Sequence, residues 1–164
     1  MNSRGEGKRK LLSTTASERQ FVSDAVLKRL TPEQFANSFP DEFRGYERAL
    51  TSNFRSFSPT NIEQENYHPG IYAIWWKRTK IHRRCLYVGQ ASVLIKDRLY
   101  AHYAGDATNK HLRTWVRAAR GCKSLCFTTL HLADMRGIVI NKIEAYFIRH
   151  FRAETNKQQT RRRG

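Results

Sequence analysis

Two phenols, a guanidinium, an imidazole and a carboxylate carry the chemistry this chain could do. Tyr72 and Tyr87 close and open two short apolar runs, Gly70-Ile71-Tyr72 and Tyr87-Val88-Gly89, on either side of a basic connection. Alternation within the runs predicts two strands and a hairpin. With Tyr72 opposite Tyr87, both phenols point to one face and Ile71 lies beside Val88 on the other. Glycine on that floor lets a ligand or another backbone approach closely. Arg98 and His102 are four apart, so on a helix they share a face one turn from each other. Glu144 falls inside the apolar stripe Ile140, Ile143, Phe147, Ile148 and Phe151. A carboxylate there is costly without a cation, either a metal ion or an arginine. Such a set can move a proton, pair with an anionic oxygen and bind a divalent ion.

The charge points the same way. The 164 residues carry 30 Lys and Arg against 14 Asp and Glu, a formal charge of +16. That excess implies a polyanionic partner, nucleic acid before an acidic membrane surface. The basic residues are spread along the chain rather than set on one amphipathic helix, which disfavours the membrane. With no long apolar stretch and no secretory pattern after Met1, the expected location is cytoplasmic or nucleoid-associated, not secreted. Cysteine usage fits a reducing compartment: Cys85, Cys122 and Cys126 are odd in number and lack a disulfide framework. A zinc site from His82, Cys85, Cys122 and Cys126 suits the pair spacings poorly, and small buried thiols are the expectation.

The elements that must position these groups are legible in order. Residues 1–16 read as a basic arm and 17–57 as a helical extension. Its first helix runs from Ser17 to Leu30, with Ser17 and Gln20 as a capping box and Phe21, Val22, Ala25, Val26 and Leu30 as the stripe. Thr31 and Pro32 start a second helix that buries Phe35 and Phe39 and ends at Pro40. A third spans about Asp41 to Phe54. Residues 58–68 read as a linker. After the hairpin, Ser92 should cap a helix from Val93 to Tyr103. A basic helix from Lys110 to Arg120 buries Leu112, Trp115, Val116 and Ala119. Lys123 to Leu132 alternates as a third strand, and Ala133 to Arg152 is the helix bearing Glu144. Residues 158–164 are a basic tail.

The hairpin, the Arg98-x-x-x-His102 helix, the late-helix Glu144 and the trailing Asn156, in this order, resemble the GIY-YIG nucleases. The resemblance covers about Pro69 to Asn156 and implies one nuclease domain over residues 69–157. The implied fold is α+β, a small three-stranded antiparallel sheet flanked by helices, here with a helical N-terminal extension. Two departures stand out. The segment between the signature halves is a few residues longer than usual, which loop closure tolerates at small cost. The proline that often precedes the trailing asparagine is missing.

The resemblance implies a divalent-metal-dependent DNA endonuclease. Glu144 would hold Mg²⁺, with Mn²⁺ able to substitute, Arg98 would pair with a non-bridging phosphate oxygen, and Asn156 would support the site by hydrogen bonding. Tyr72 or Tyr87 would orient or deprotonate the water; a free phenol has a pKa of about 10, so the base needs help from a cation or from His102. Lys77, Arg78, Lys80, Arg83 and Arg84 of the connection, with Lys110, Arg113 and Arg117, are candidates for phosphate contacts on double-stranded DNA. A double-strand cut would imply a homodimer or a second event. A non-catalytic nucleic-acid-binding protein retaining the fold is the alternative, and a basic RNA-binding protein a third.

Overall fold

The architecture is built around one inner strand. The computed structural model describes residues 23–106, 109–119 and 123–156. In it β2 (Gly70–Lys77) pairs antiparallel with β3 (Arg83–Ala91) on one side and β4 (Leu125–His131) on the other. Gly70 to Trp75 are all buried, because helices cover both faces of this strand. A fourth strand, β1 (Arg55–Ser56), pairs antiparallel with β4, so the order is β1-β4-β2-β3. The sheet therefore has four strands rather than the expected three. Two residues are too few to leave an alternation pattern in a sequence.

Seven helices are described: α1 (Asp24–Arg29), α2 (Pro32–Ser38), α3 (Pro40–Leu50), α4 (Pro59–Glu63), α5 (Ile95–Ala104), α6 (Lys110–Ala119) and α7 (Gly137–His150). The fold is mixed α+β, and no described helix is long and apolar enough to cross a membrane. One face of the sheet, with Ile71, Ala73, Trp75 and Val88, packs against Phe35, Phe43, Leu50, Ile140, Ile143 and Phe147. The other, with Tyr72, Ile74, Leu86, Tyr87 and Phe127, packs against Ile62, Ile95, Leu99, Leu112 and Val116. Each phenylalanine of the first core contributes on the order of 2–3 kcal/mol by burial.

The N-terminal helices thus brace the sheet. Thr31 and Gln34 form the capping box of α2, with Pro32 in its first turn. Pro40 opens α3 rather than only closing α2. Thr128 Oγ1 donates to the Leu50 carbonyl and accepts from Trp75 Nε1, tying α3 to β4 and β2. Of the expected first helix, Ser17, Gln20, Phe21 and Val22 lie outside the described residues, as do the basic arm, Arg120, Cys122 and the tail. Ser23 caps α1, whose buried residue is Leu27, while Ala25 and Val26 are exposed. The expected linker contains α4, capped by Ser58.

The hairpin register differs by two from the one expected. Tyr72 pairs with Gly89 and Ile74 with Tyr87; Ala73 faces Val88 and Ile71 faces Gln90. A shift of two keeps every side chain on its face, so both tyrosines still share one surface. Between Ile74 and Trp75 the pairing slips by one, leaving Leu86 as the extra residue of a β-bulge. The outer edge of β3 is closed by the chain after α7. The Glu154 and Thr155 N–H groups donate to the Cys85 and Leu86 carbonyls at 3.3 and 2.8 Å.

Candidate active site

β2, β3, α5 and α7 bring the predicted groups together. Tyr72 is fully buried and its ring crosses β3 above Gly89. A Cβ on Gly89 would sit 2.5 Å from the Tyr72 hydroxyl oxygen and 2.6 Å from the Tyr87 ring, so glycine here makes room for both phenols. Gly70 is required for another reason: a side chain there would run into the Leu130 carbonyl of β4. The two tyrosine rings lie 6.0 Å apart.

From α5, His102 Nε2 lies 2.8 Å from the Tyr72 hydroxyl, and its ring is 4.9 Å from that of Tyr87. Arg98, one turn earlier, is near enough to Tyr72 for its charge to act on the phenol. The helix starts at Ile95, not Val93, and Ser92 does not cap it; the N-cap is Leu94, with no side-chain bond. The chain from Ser92 to Leu94 instead borders a groove beside Arg98. Glu144 stands half-buried at the edge of the α7 stripe. The Gln90 backbone N–H is near enough to favour its ionised form, and its own charge acts on Tyr87.

Asn156 plays a positioning part. Its Oδ1 accepts from Val88 N–H and its Nδ2 donates to Val88 C=O, both at 2.9 Å. Both backbone groups next to Tyr87 are thereby fixed without a further strand. The missing proline does not prevent this.

The electrostatics are uneven. Burial pushes the Tyr72 phenol well above its ordinary value, and Tyr87 adds to that while Arg98 opposes it. Tyr87 is raised by burial and then by Glu144, but the hydrogen bond from Tyr72 and the Arg98 charge pull it down. His102 is lowered to about 4 by burial and then by Arg98, so the imidazole is neutral at pH 7. Its Nδ1 is buried with no partner among the described residues. Glu144 is raised to about 7 by burial, which the Gln90 N–H and Arg98 only partly offset. Among the described residues it has no ion-pair partner within contact distance, although the Arg98 charge acts on it.

A metal ion would find one carboxylate here. No three His, Cys, Asp or Glu side chains come together among the described residues to form a protein cage. Cys85 and Cys126 are buried free thiols. A half-buried carboxylate with no ion pair among the described residues fits a hard, partly hydrated ion whose other ligands are waters and phosphate oxygens.

The basic candidates divide. Lys77, Arg78, Lys80, Lys110 and Arg117 are exposed, and the Arg78 guanidinium lies 5.5 Å from the Trp76 ring. Trp76 and Trp115, 5.2 Å apart, join the hairpin to α6. Trp115 and Ala119 are half-buried rather than buried. Three candidates are otherwise engaged: Arg83 stacks over Phe54 at 4.1 Å, Arg84 pairs with Glu154 at 2.8 Å, and Arg113 is half-buried. Sequence reasoning missed Gln90 and Asn141, which hydrogen-bond to each other beside the site. Their position, directly after Gly89 and one helical turn before Glu144, was the available signal. Comparison with protein-family models, curated proteins and solved structures returns no significant match.

Proposed function

We propose that the protein is a phosphodiester hydrolase acting on nucleic acid. More narrowly, we infer a Mg²⁺-dependent DNA endonuclease with a GIY-YIG type of active site. One observation carries the reading: Tyr72, Tyr87, Arg98, His102 and Glu144, far apart in sequence, converge on one partly open surface. The exposed basic residues of the hairpin tip and α6 suit a phosphate backbone.

Each group has a job its surroundings support. Arg98 holds a non-bridging oxygen through its fork and at the same time orients Tyr72. Neutral His102 donates Nε2–H to the Tyr72 oxygen, and the Arg98 charge acts on the same phenol. The Tyr72 hydrogen then points to Tyr87 and partly offsets the burial and the Glu144 charge that raise its pKa. Tyr87 is therefore the phenol of the two whose ionisation this relay assists, and a bound cation would supply the rest. Tyr87 is also the tyrosine beside Glu144, so it is placed to take the proton from the attacking water. A divalent cation on Glu144 would supply Lewis-acid stabilisation at the scissile phosphate. Asn156 keeps Tyr87 in place through Val88.

The test is cleavage of supercoiled plasmid at low salt with Mg²⁺, with EDTA and Glu144→Ala as controls. Metal-dependent nicking or linearisation that the substitution removes is expected. Discrete linear fragments would imply a homodimer or paired cuts. DNA binding without cutting on plasmid, branched or single-stranded substrates would overturn the enzyme reading in favour of a non-catalytic binding protein. Binding itself should weaken steeply as salt rises.

A further inference from the structure

The groove next to Arg98 has a composition unlike a phosphate channel. Its volume is about 550 Å³, and Gln90, Ser92, Val93, Asp97, Arg98 and Asn141 line it. That size falls within the range of small-ligand sites. Arg98 and Asp97 offset each other, and an exposed carboxylate repels a phosphodiester backbone. What remains is a pair of amides. Gln90 Nε2 donates to Asn141 Oδ1, which leaves the Gln90 carbonyl oxygen and the Asn141 amide hydrogens without partners among the described residues. Turning both amides over still leaves one acceptor and one donor. A neighbouring donor and acceptor is what the edge of a nucleobase offers in reverse. Val93, 69% exposed at the rim, adds an apolar surface against which a base can stack or be wedged.

We propose that this groove receives the base adjacent to the scissile phosphate, and that Gln90 and Asn141 are specificity-determining residues that read its edge. The inference rests on the nuclease reading, because Arg98 both lines the groove and stands in the phosphate position. That shared residue fixes the distance: the base read lies within one or two nucleotides of the cut.

The experiment uses the full chain and a duplex library randomised over a central window. The library is digested with Mg²⁺ and the cut ends are sequenced for wild type, Gln90→Ala and Asn141→Ala. Base frequencies are normalised to total cuts, so the readout does not depend on rate or on the fraction folded. A preference of about ten- to a hundredfold at one position beside the cut is expected for wild type. It should fall to about threefold or less in both variants. Wild type cutting with no local preference, or variants that keep it unchanged, would overturn the subsite and leave the nuclease reading standing. If nothing is cut, the same library is sorted by binding. An enrichment that both substitutions erase would keep the base-reading groove without the nuclease, and no enrichment would remove both.

Discussion

Glu65 and Glu144 are both drawn away from water, and the protein treats them in opposite ways. Glu65, only 3% exposed, lies between α4 and β2. Arg55 and His131 both hydrogen-bond its carboxylate, and Thr129 Oγ1 lies within 3.4 Å of both its oxygens. Burial raises its pKa, but the bonds from Arg55 and His131 outweigh burial and hold it below the ordinary carboxylate range. At Glu144 burial wins over the opposing influence of the Gln90 N–H and of Arg98. A buried carboxylate with its cations supplied is a structural fastening. One without them is, on the proposed reading, where a cation from outside would bind.

The largest difference should be in activity. Glu144→Gln is expected to lower Mg²⁺-dependent cutting by about a thousandfold. Glu65→Gln, assayed well below its melting temperature, should stay within about threefold of wild type. Equal losses would place both carboxylates in one role.

Stability should reverse the order. Glu65→Gln strands Arg55 and His131 and is expected to cost about 3 kcal/mol at pH 7 by chemical denaturation. Because the folded pKa of Glu65 is depressed, its contribution is present above the unfolded carboxylate value and fades as pH falls through the folded one. The gap between wild type and variant should therefore close in acid. A gap that persists at pH 3 would mean the loss is packing rather than charge.

For Glu144 the sign is opposite. Its folded pKa of about 7 lies above the reference value of 4.5. The cost of ionising it is absent below about pH 4.5, grows between there and about 7, and stays constant above. In EDTA, Glu144→Gln should therefore be more stable than wild type at pH 8, by on the order of 1–3 kcal/mol, and nearly equal at pH 4.5. Added Mg²⁺ should stabilise wild type but not the variant. A variant no more stable at pH 8 would indicate a partner for Glu144 inside the protein. The smallest effect is expected at Thr129→Val, below about 1 kcal/mol, since its hydroxyl only completes a carboxylate that Arg55 and His131 already hold.

The contrast also sorts what the sequence could reveal. Glu144 was legible because it interrupts an apolar stripe on a long helix. Glu65 was not, because it lies in a polar stretch where one more acid looks ordinary and its partners come from β1 and β4. Tyr72 and Tyr87 were legible as a same-face pair, since alternation survives a register error of two. The register itself was not, because a bulge leaves no local signature. Arg98 and His102 followed from helical spacing, whereas the true start of α5 depended on a loop with no capping side chain. The occupied state of Arg83 and Arg84 could not be read, because Phe54 and Glu154 reach them only through the folded chain.

The extra residue at Leu86 has a consequence for parity. Were the pairing of Trp75 with Cys85 continued without it, Tyr72 would meet Val88. Tyr87 and Gly89 would then turn to the sheet face that carries α7, away from His102 and Arg98. The distal half of the hairpin and its tyrosine-bearing half thus run out of phase by one position, and the bulge is the joint between them. The distal half does not dictate which way the tyrosines face. Its basic finger can change in length or side chains while the chemistry at its base keeps its orientation.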